Sequence, residues 1–284
     1  MSDPIEVPAG TLTLSGILAA PATTARGLLV ALHGGGYTGK YWDGAAQPEA
    51  SLLRLGAERG LVTVALDRPG YGRTVGQGCR LAQQAEIVFD AIAELRRHHG
   101  PALPVFVAGH SMGGILTLMM AAHPRASMLA AVDVCGVPLR FTEETRRAIA
   151  APTASGHVHR LPISLEQRRA RYYGRDGTFL ESSLLDDDLA SAPVPGIEVA
   201  DAASAPEALP PLMRRTTLPV RYTQSEFDTS LSDPETLAFA RDCLSASRGA
   251  QVRFEPDCGH NISLHQVAGA FHAGMLDFFE PLAR

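Results

Sequence analysis

The most informative segment of the chain is Ala108-Gly109-His110-Ser111-Met112-Gly113-Gly114. The apolar run at 104–107 that precedes it is typical of a short strand, and the run at 115–122 that follows is typical of a helix. A serine at such a junction, with the spacing Gly-x-Ser-x-Gly, indicates a sharp turn that lifts its hydroxyl out of the backbone. Only glycine-sized neighbours fit beside this turn, and the helix points its first N–H groups toward the serine. Ser111 is therefore a candidate nucleophile.

The composition is that of a globular protein with no affinity for nucleic acid. The chain has 284 residues, 45% of them hydrophobic, which is enough to bury the core of one domain with or without an insertion. A net charge of −5 argues against a nucleic-acid partner. The four cysteines form no C-x-x-C pair, so we expect no metal site. The N-terminus lacks the basic and apolar regions of a signal peptide, and no apolar run is long enough to span a membrane, so we expect a cytoplasmic protein without membrane contact.

Strand and helix patterns alternate along most of the chain. Strands are predicted at 5–7, 11–18, 27–32, 61–66, 105–108, 128–134, 220–223 and 252–255, and helices at 48–59, 80–98, 112–123, 233–246 and 264–279. The first two strands read as an antiparallel hairpin. The others predict an α/β fold with a mostly parallel sheet that is covered by helices on both faces. Functional groups then belong at the carboxyl ends of the strands.

This alternation breaks between residues 137 and 217. A segment of this length in a compact domain is usually functional. Its charges are segregated: residues 138–175 contain eight arginines and three glutamates, whereas residues 176–209 contain eight acids and no base. One interpretation is that the two halves neutralise each other at the surface. The other is that the arginines, among them Arg168, Arg169 and Arg171, bind an anionic group or an acyl-carrier partner.

A serine nucleophile needs a base within hydrogen-bond reach and a third group that orients the base. Among ten histidines, His260 is the best placed, because it lies between a predicted strand and the last helix, at the carboxyl edge of the sheet. Asp228 follows the strand at 220–223 and is the candidate acid, with Glu226 as its nearest rival. His110 is expected to point back into the core or to support the turn at the nucleophile.

The loop after the strand at 27–32 reads His33-Gly34-Gly35-Gly36-Tyr37. Glycines let a backbone N–H approach a reacting carbonyl oxygen. We expect the N–H of Gly35 to form an oxyanion hole with that of Met112, the residue after the nucleophile. Gly36 is the alternative to Gly35.

Together these segments, with Asp67-Arg-Pro-Gly-Tyr-Gly72, resemble the α/β-hydrolase superfamily, in which the triad follows the order Ser, Asp, His. The resemblance covers nearly all of the chain outside 137–217. It implies a hydrolase core at 1–136 and 218–284 with a mainly helical cap at 137–217. It also implies a capped serine hydrolase that cleaves a carboxylic ester, a thioester or a lactone of a small apolar acyl substrate through a Ser111–His260–Asp228 triad, with no cofactor. Apolar walls of the pocket are then expected from cap side chains, for which the candidates are Phe141, Leu161, Tyr172, Tyr173, Phe179 and Met213.

The same residues also bear on the alternative functions. An acyltransferase or a carbon–carbon bond hydrolase shares this machinery. Gly34 to Lys40 matches the start of a phosphate-binding loop, but Tyr41 stands where Ser or Thr would hold Mg²⁺. A non-catalytic binding protein on the same fold would not need a strained serine, so the intact set of groups disfavours it.

Overall fold

A computed structural model of the chain describes residues 2–143, 147, 164–228 and 234–283. Eight strands form one sheet in the order β1-β2-β4-β3-β5-β6-β7-β8. They are β1 (Asp3–Ala9), β2 (Leu12–Ala19), β3 (Gly27–Leu32), β4 (Leu61–Leu66), β5 (Val105–His110), β6 (Ala131–Cys135), β7 (Val220–Ser225) and β8 (Gln251–Glu255). The hairpin β1–β2 and the β2–β4 pair are antiparallel, and all other pairs are parallel. The predicted fold class is confirmed.

Helices cover both faces of the sheet. They are α1 (Leu52–Glu58), α2 (Leu81–His99), α3 (Met112–Ala121), α4 (Leu165–Arg168), α5 (Ser183–Ala190), α6 (Gly196–Ala203), α7 (Ala205–Met213), α8 (Pro234–Cys243) and α9 (Ala268–Phe279). A π-helical turn at Arg169–Tyr173 continues α4. None of the helices in the described ranges is long and apolar enough to cross a membrane.

The apolar strands divide their side chains between two cores. In β3, Leu28, Val30 and Leu32 pack with residues of α2 and α3, whereas Leu29 and Ala31 pack with residues of α1 and α9. This follows from the alternation of side chains in an extended strand. The run at 27–32 is therefore continuously apolar because both of its faces are buried.

Three predicted boundaries are displaced by local turns. A 3₁₀ turn at Pro48–Ala50 precedes α1, and the hydroxyl of Ser51 accepts the N–H of Arg54 to cap that helix. The 3₁₀ turn at Pro124–Met128 delays β6 to Ala131. The last helix begins at Ala268 because a separate 3₁₀ turn forms at Ile262–Leu264.

The segment predicted as a cap is mainly helical in its described parts, with turns at 174–182 and a non-helical stretch at 191–195. Its last helix, α7, packs against α3, and Ala205, Leu209 and Met213 share a core cluster with α3. This helix thus lies against the core directly behind α3. The division into core and cap at residues 137 and 217 stays a prediction.

Candidate active site

Ser111 lies at the junction of β5 and α3 in a strained backbone conformation. Its φ of 54° and ψ of −118° are outside the regions that residues with side chains prefer. The conformation is held from both sides, since the N–H of Ser111 donates to the carbonyl of Cys135 (2.9 Å) and its own carbonyl accepts the N–H of Ile115 (2.9 Å). The serine is therefore presented at the carboxyl end of the central strand.

The two glycines that flank the turn at Ser111, Gly109 and Gly113, are required by the close approach of backbone. A Cβ at Gly113 would collide with the carbonyl oxygens of Leu32 and His33. A Cβ at Gly109 would collide with the carbonyl of Gly113 and with the side chain of Thr117. The steric reason for the Gly-x-Ser-x-Gly spacing is thus present in the packing.

His260 and Asp228 meet at the same edge of the sheet. The Nδ1 of His260 lies 2.7 Å from Oδ2 of the buried Asp228. With Nδ1–H as the donor, Nε2 is left as the proton acceptor. The rival carboxylate is placed elsewhere, since Glu226 accepts the N–H of Asp257 at 2.8 Å. The glycine at 136 leaves room for the histidine ring, because a Cβ there would approach His260 Cε1 to 3.0 Å.

His110, directly before Ser111, contacts the loop of His260. Its Nε2–H donates to the carbonyl of His260 at 2.9 Å, and the two rings lie 4.7 Å apart. Burial, followed by the proximity of His260, lowers the pKa of His110 well below its usual value, so the ring is neutral at pH 7. His110 thus fixes the loop that carries His260, in addition to packing behind the turn at Ser111.

The glycine loop after β3, at residues 33–37, lies directly against the turn at Ser111. A Cβ at Gly34 would come within 3.1 Å of Ser111 Cβ, and one at Gly35 within 2.5 Å of the sulfur of Met112. Met112 is the first residue of α3, so its N–H has no partner within the helix. In the described part of the chain the Gly35 N–H has no hydrogen-bond partner, whereas that of Gly36 donates to the Tyr71 hydroxyl (3.3 Å). This arrangement favours Gly35 over Gly36 as an oxyanion donor.

Three features of this site together form the arrangement typical of α/β hydrolases. They are a serine on a strained strand–helix junction, a histidine–carboxylate pair after the last two strands, and a glycine loop after β3. The family model of the alpha/beta hydrolase family matches residues 29–273. The chain belongs to this family. The expected family resemblance is therefore confirmed.

Two curated relatives of this hydrolase are lipases. The chain is 26% identical over 260 residues to the monoglyceride lipase of Rattus norvegicus. This match covers 89% of the chain and 77% of the rat protein. This chain is also 36% identical over 96 residues to the monoacylglycerol lipase of Mycolicibacterium smegmatis. That match covers 33% of this chain and 32% of the mycobacterial protein, so it spans about a third of the relative.

Solved structures show the same fold over the whole hydrolase. A soluble variant of the Saccharomyces cerevisiae monoglyceride lipase, in complex with a substrate analogue, superposes with a TM-score of 0.73 at 17% identity. The alignment covers all of this chain and 96% of that one. A thermostable carboxyl esterase from Bacillus coagulans gives a TM-score of 0.72 at 16% identity, covering 99% and 98% of the two chains.

Tyr172, one of the predicted pocket residues, lies against His260. The ring of Tyr172 is 5.3 Å from the ring of His260, and its carbonyl accepts the N–H of Asn261 at 3.1 Å. Of the other candidates, Phe141 is half-buried, Tyr173 and Phe179 pack against each other, Met213 is buried beside α3, and Leu161 lies outside the described residues. Of these candidates only Tyr172 is thus shown beside His260, and the pocket roles of all of them stay predictions.

Sequence reasoning missed a buried polar cluster beside the histidine loop. The carboxylate of Asp187 accepts from the hydroxyls of Tyr173 (2.8 Å) and Tyr37 (3.2 Å) and from the amide of Asn261 (3.0 Å), and it pairs with Arg168 at 2.9 Å. Burial is the main reason why the pKa of Asp187 is raised. The cluster joins the cap segment to the residue after His260. Only the Asp186-Asp187-Asp188 run signalled it, and that run is also typical of an exposed surface.

The arginine-rich half of the insertion is partly paired with its acidic half. Arg168 contacts Asp187 and also Asp188 (2.7 Å), while Arg169 contacts Asp176 (3.1 Å) and Glu181 (2.9 Å). These contacts occupy donors that an anionic partner would use. The carrier-protein hypothesis stays a prediction.

Proposed function

We propose that this protein is a serine hydrolase that cleaves a carboxylic ester-type bond through a Ser111–His260–Asp228 triad and an acyl-enzyme. The observation that carries the proposal is the 2.7 Å contact between His260 Nδ1 and Asp228, at the edge where Ser111 stands in a strained turn. A histidine held in this tautomer presents a basic Nε2 to the serine hydroxyl. The lipase and esterase names of its relatives support ester bonds as the target.

In the first half-reaction, the Ser111 oxygen attacks the carbonyl carbon while Nε2 of His260 takes the hydroxyl proton. The resulting oxyanion accepts hydrogen bonds from the N–H groups of Gly35 and Met112, whose orientation is fixed before the substrate binds. When the tetrahedral intermediate collapses, the bond to the leaving oxygen breaks and His260 returns its proton to the alcohol. Asp228 orients the ring throughout and stabilises its charged form.

In the second half-reaction, water attacks the acyl group on Ser111. His260 removes a proton from the water and later returns it to the serine oxygen, so the products are the free acid and the regenerated enzyme. Apart from the ester and this water, every group in the two half-reactions is one of the chain's own side chains or backbone N–H groups. An acyltransferase would differ only in an alcohol or amine that replaces this water.

We propose an apolar acyl chain as the substrate class. Tyr172 presents an aromatic ring next to His260, and aromatic and apolar side chains form most small-molecule pockets. A glycerol ester would agree with the names of the relatives. The protein is proposed to act in the cytoplasm, as its sequence predicts.

The experiment is turnover of a panel of nitrophenyl esters, monoacylglycerols and acyl thioesters by the native protein and by Ser111→Ala. Native turnover with release of free acid, and a loss of roughly 10⁴-fold or more in Ser111→Ala, is expected from triads of this kind. Ser245→Ala, an exposed serine after α8, is the matched control and retains full activity. Full turnover by Ser111→Ala would contradict the proposal.

A further inference from the structure

A fully buried ion pair links the cap segment to the proposed oxyanion loop. The guanidinium of Arg68, in the turn after β4, pairs with the carboxylate of Glu198 on α6 at 2.7 Å, and both side chains are 0% exposed. Arg68 also donates to Gln84 Oε1 at 2.9 Å. Its remaining side-chain N–H groups go to Glu198 Oε2 and to two backbone carbonyls of the loop, so all five donors are used.

The two carbonyls belong to the residues that precede the proposed oxyanion donor. Arg68 Nε donates to the carbonyl of His33 at 2.8 Å, and a terminal nitrogen donates to that of Gly34 at 3.3 Å. The backbone N–H of Arg68 donates to Nε2 of His33 at 3.0 Å. Burial, and then the charge of Arg68, lowers the pKa of His33, so this ring is neutral and accepts that bond. The loop is therefore held rigidly before Gly35.

Tyr71 holds the loop on the other side of Gly35. Its hydroxyl donates to Glu198 Oε2 at 2.8 Å and accepts the N–H of Gly36 at 3.3 Å. Burial, with the nearby carboxylate of Glu198, raises the pKa of Tyr71 well above its usual value, so the hydroxyl keeps the proton that it donates. Gly34 and Gly36 are thus both connected to one carboxylate, and the N–H of Gly35 lies between them.

Backbone contacts from the same part of the cap fix the loop further. The N–H of Ala192 donates to the carbonyl of Gly36 at 2.7 Å, and the N–H of Thr38 donates to the carbonyl of Ala190 at 2.8 Å. The segment that carries Glu198 therefore packs on the loop. This packing fixes the position of the Glu198 carboxylate beside the guanidinium of Arg68.

We propose that Glu198 is a positioning residue, which acts through Arg68 and Tyr71 to aim the Gly35 N–H at the oxyanion formed on Ser111. The inference rests on the proposed function. A buried ion pair of this kind contributes little net stability compared with apolar side chains of the same volume. Its contacts converge on one loop, and the orientation of a donor in that loop affects the transition state more than the bound substrate.

The test compares Tyr71→Phe, Glu198→Gln and the control Asp133→Asn. Tyr71→Phe removes only the hydroxyl that bridges Glu198 and Gly36, and it leaves the ion pair in place, so it serves even where Glu198→Gln fails to fold. Asp133→Asn alters a second fully buried ion pair, with Arg221 at 2.6 Å, in the middle of β6. It separates a general loss of stability from a loss of positioning.

The measurements are kcat, KM and the inhibition constant of phenylboronic acid, which forms a tetrahedral adduct with a serine hydroxyl. We expect kcat to fall roughly ten- to hundredfold in Tyr71→Phe and Glu198→Gln, below the 10²–10³-fold that loss of an oxyanion donor costs. KM should stay within about twofold, and the inhibition constant should rise in parallel with the loss of kcat, because both report the tetrahedral state. Asp133→Asn should lower the melting temperature and leave these constants unchanged.

Two outcomes would overturn the inference in distinguishable ways. If Tyr71→Phe and every folded Glu198 variant kept the native kcat and inhibition constant, Glu198 would have no positioning role while the proposed function stood. If native turnover survived Ser111→Ala, the proposed function and this inference would fail together.

Discussion

Replacing Asp228 by Asn should disable the proposed base while keeping the fold of its loop. Asn has the same shape as Asp, and the N–H of the neighbouring Phe227 is held by the carbonyl of Cys258 at 2.9 Å independently of the carboxylate. The amide cannot accept from Nδ1–H at 2.7 Å as a charged oxygen does, and its NH₂ group favours the histidine tautomer with the proton on Nε2. In that tautomer His260 cannot take the serine proton.

The expected loss is about 10⁴-fold in kcat, as for other triads. At about 1.36 kcal/mol per factor of ten, this corresponds to about 5.5 kcal/mol in the activation barrier. The assay is steady-state turnover of a nitrophenyl ester, with the melting temperature measured on the same samples. Glu226→Gln is the control, because that carboxylate is the nearest rival in the sequence and accepts the Asp257 N–H instead of a histidine proton.

A loss of less than tenfold in Asp228→Asn, with the variant folded, would refute the assignment of the acid. If Glu226→Gln then showed the large loss, the orienting role would belong to Glu226. A large loss in both variants with a matching fall in melting temperature would mean that unfolding of the loop, and not the missing carboxylate, causes the loss of activity.

Two further predictions concern stability. Burial lowers the pKa of His265 and of His272 to about 4, so between pH 4 and 6.5 the unfolded chain binds protons that the folded chain does not. The free energy of unfolding should therefore fall by about 2 kcal/mol per histidine between pH 7 and pH 5 in urea titrations, and equal stability at the two pH values would contradict this. Gly113→Ala should lower stability by about 1–3 kcal/mol and reduce turnover, because its Cβ collides with backbone under the oxyanion loop. Gly269→Ala, in α9, should be neutral or stabilising in the same melting experiment, because the added Cβ would lie 3.6 Å from the Cβ of Ala50, at ordinary van der Waals contact.

The fold follows from patterns that are local in sequence. The run at 27–32 and the run at 61–66 are continuously apolar, and the structure has strands with those bounds. Their burial on both faces required helices on both sides, which fixes a parallel α/β sheet. Topology then places the ends of β5, β7 and β8 at one edge, so candidate residues that lie far apart in sequence could be grouped before any distance was known.

The contacts of the cap could not be predicted in this way. Glu198 and Arg68 are 130 residues apart, and neither has a sequence neighbour that marks it as buried. Acidic residues in the insertion look like a solvated surface, since charged side chains are rarely buried unless paired. Asp187 is fully buried because Tyr37, Tyr173 and Asn261 meet there, which is a consequence of packing between distant segments.

The proposed acyl-enzyme is tested most directly by detecting the acyl group on Ser111 itself. The native protein is mixed with excess nitrophenyl butyrate, quenched in acid at successive times and analysed by intact mass and peptide mapping. The proposed mechanism predicts a mass increase of one butyryl group on the peptide that contains Ser111, formed together with the burst of nitrophenol and absent in Ser111→Ala. A burst without any adduct, or an adduct on another residue that appears equally in Ser111→Ala, would contradict it.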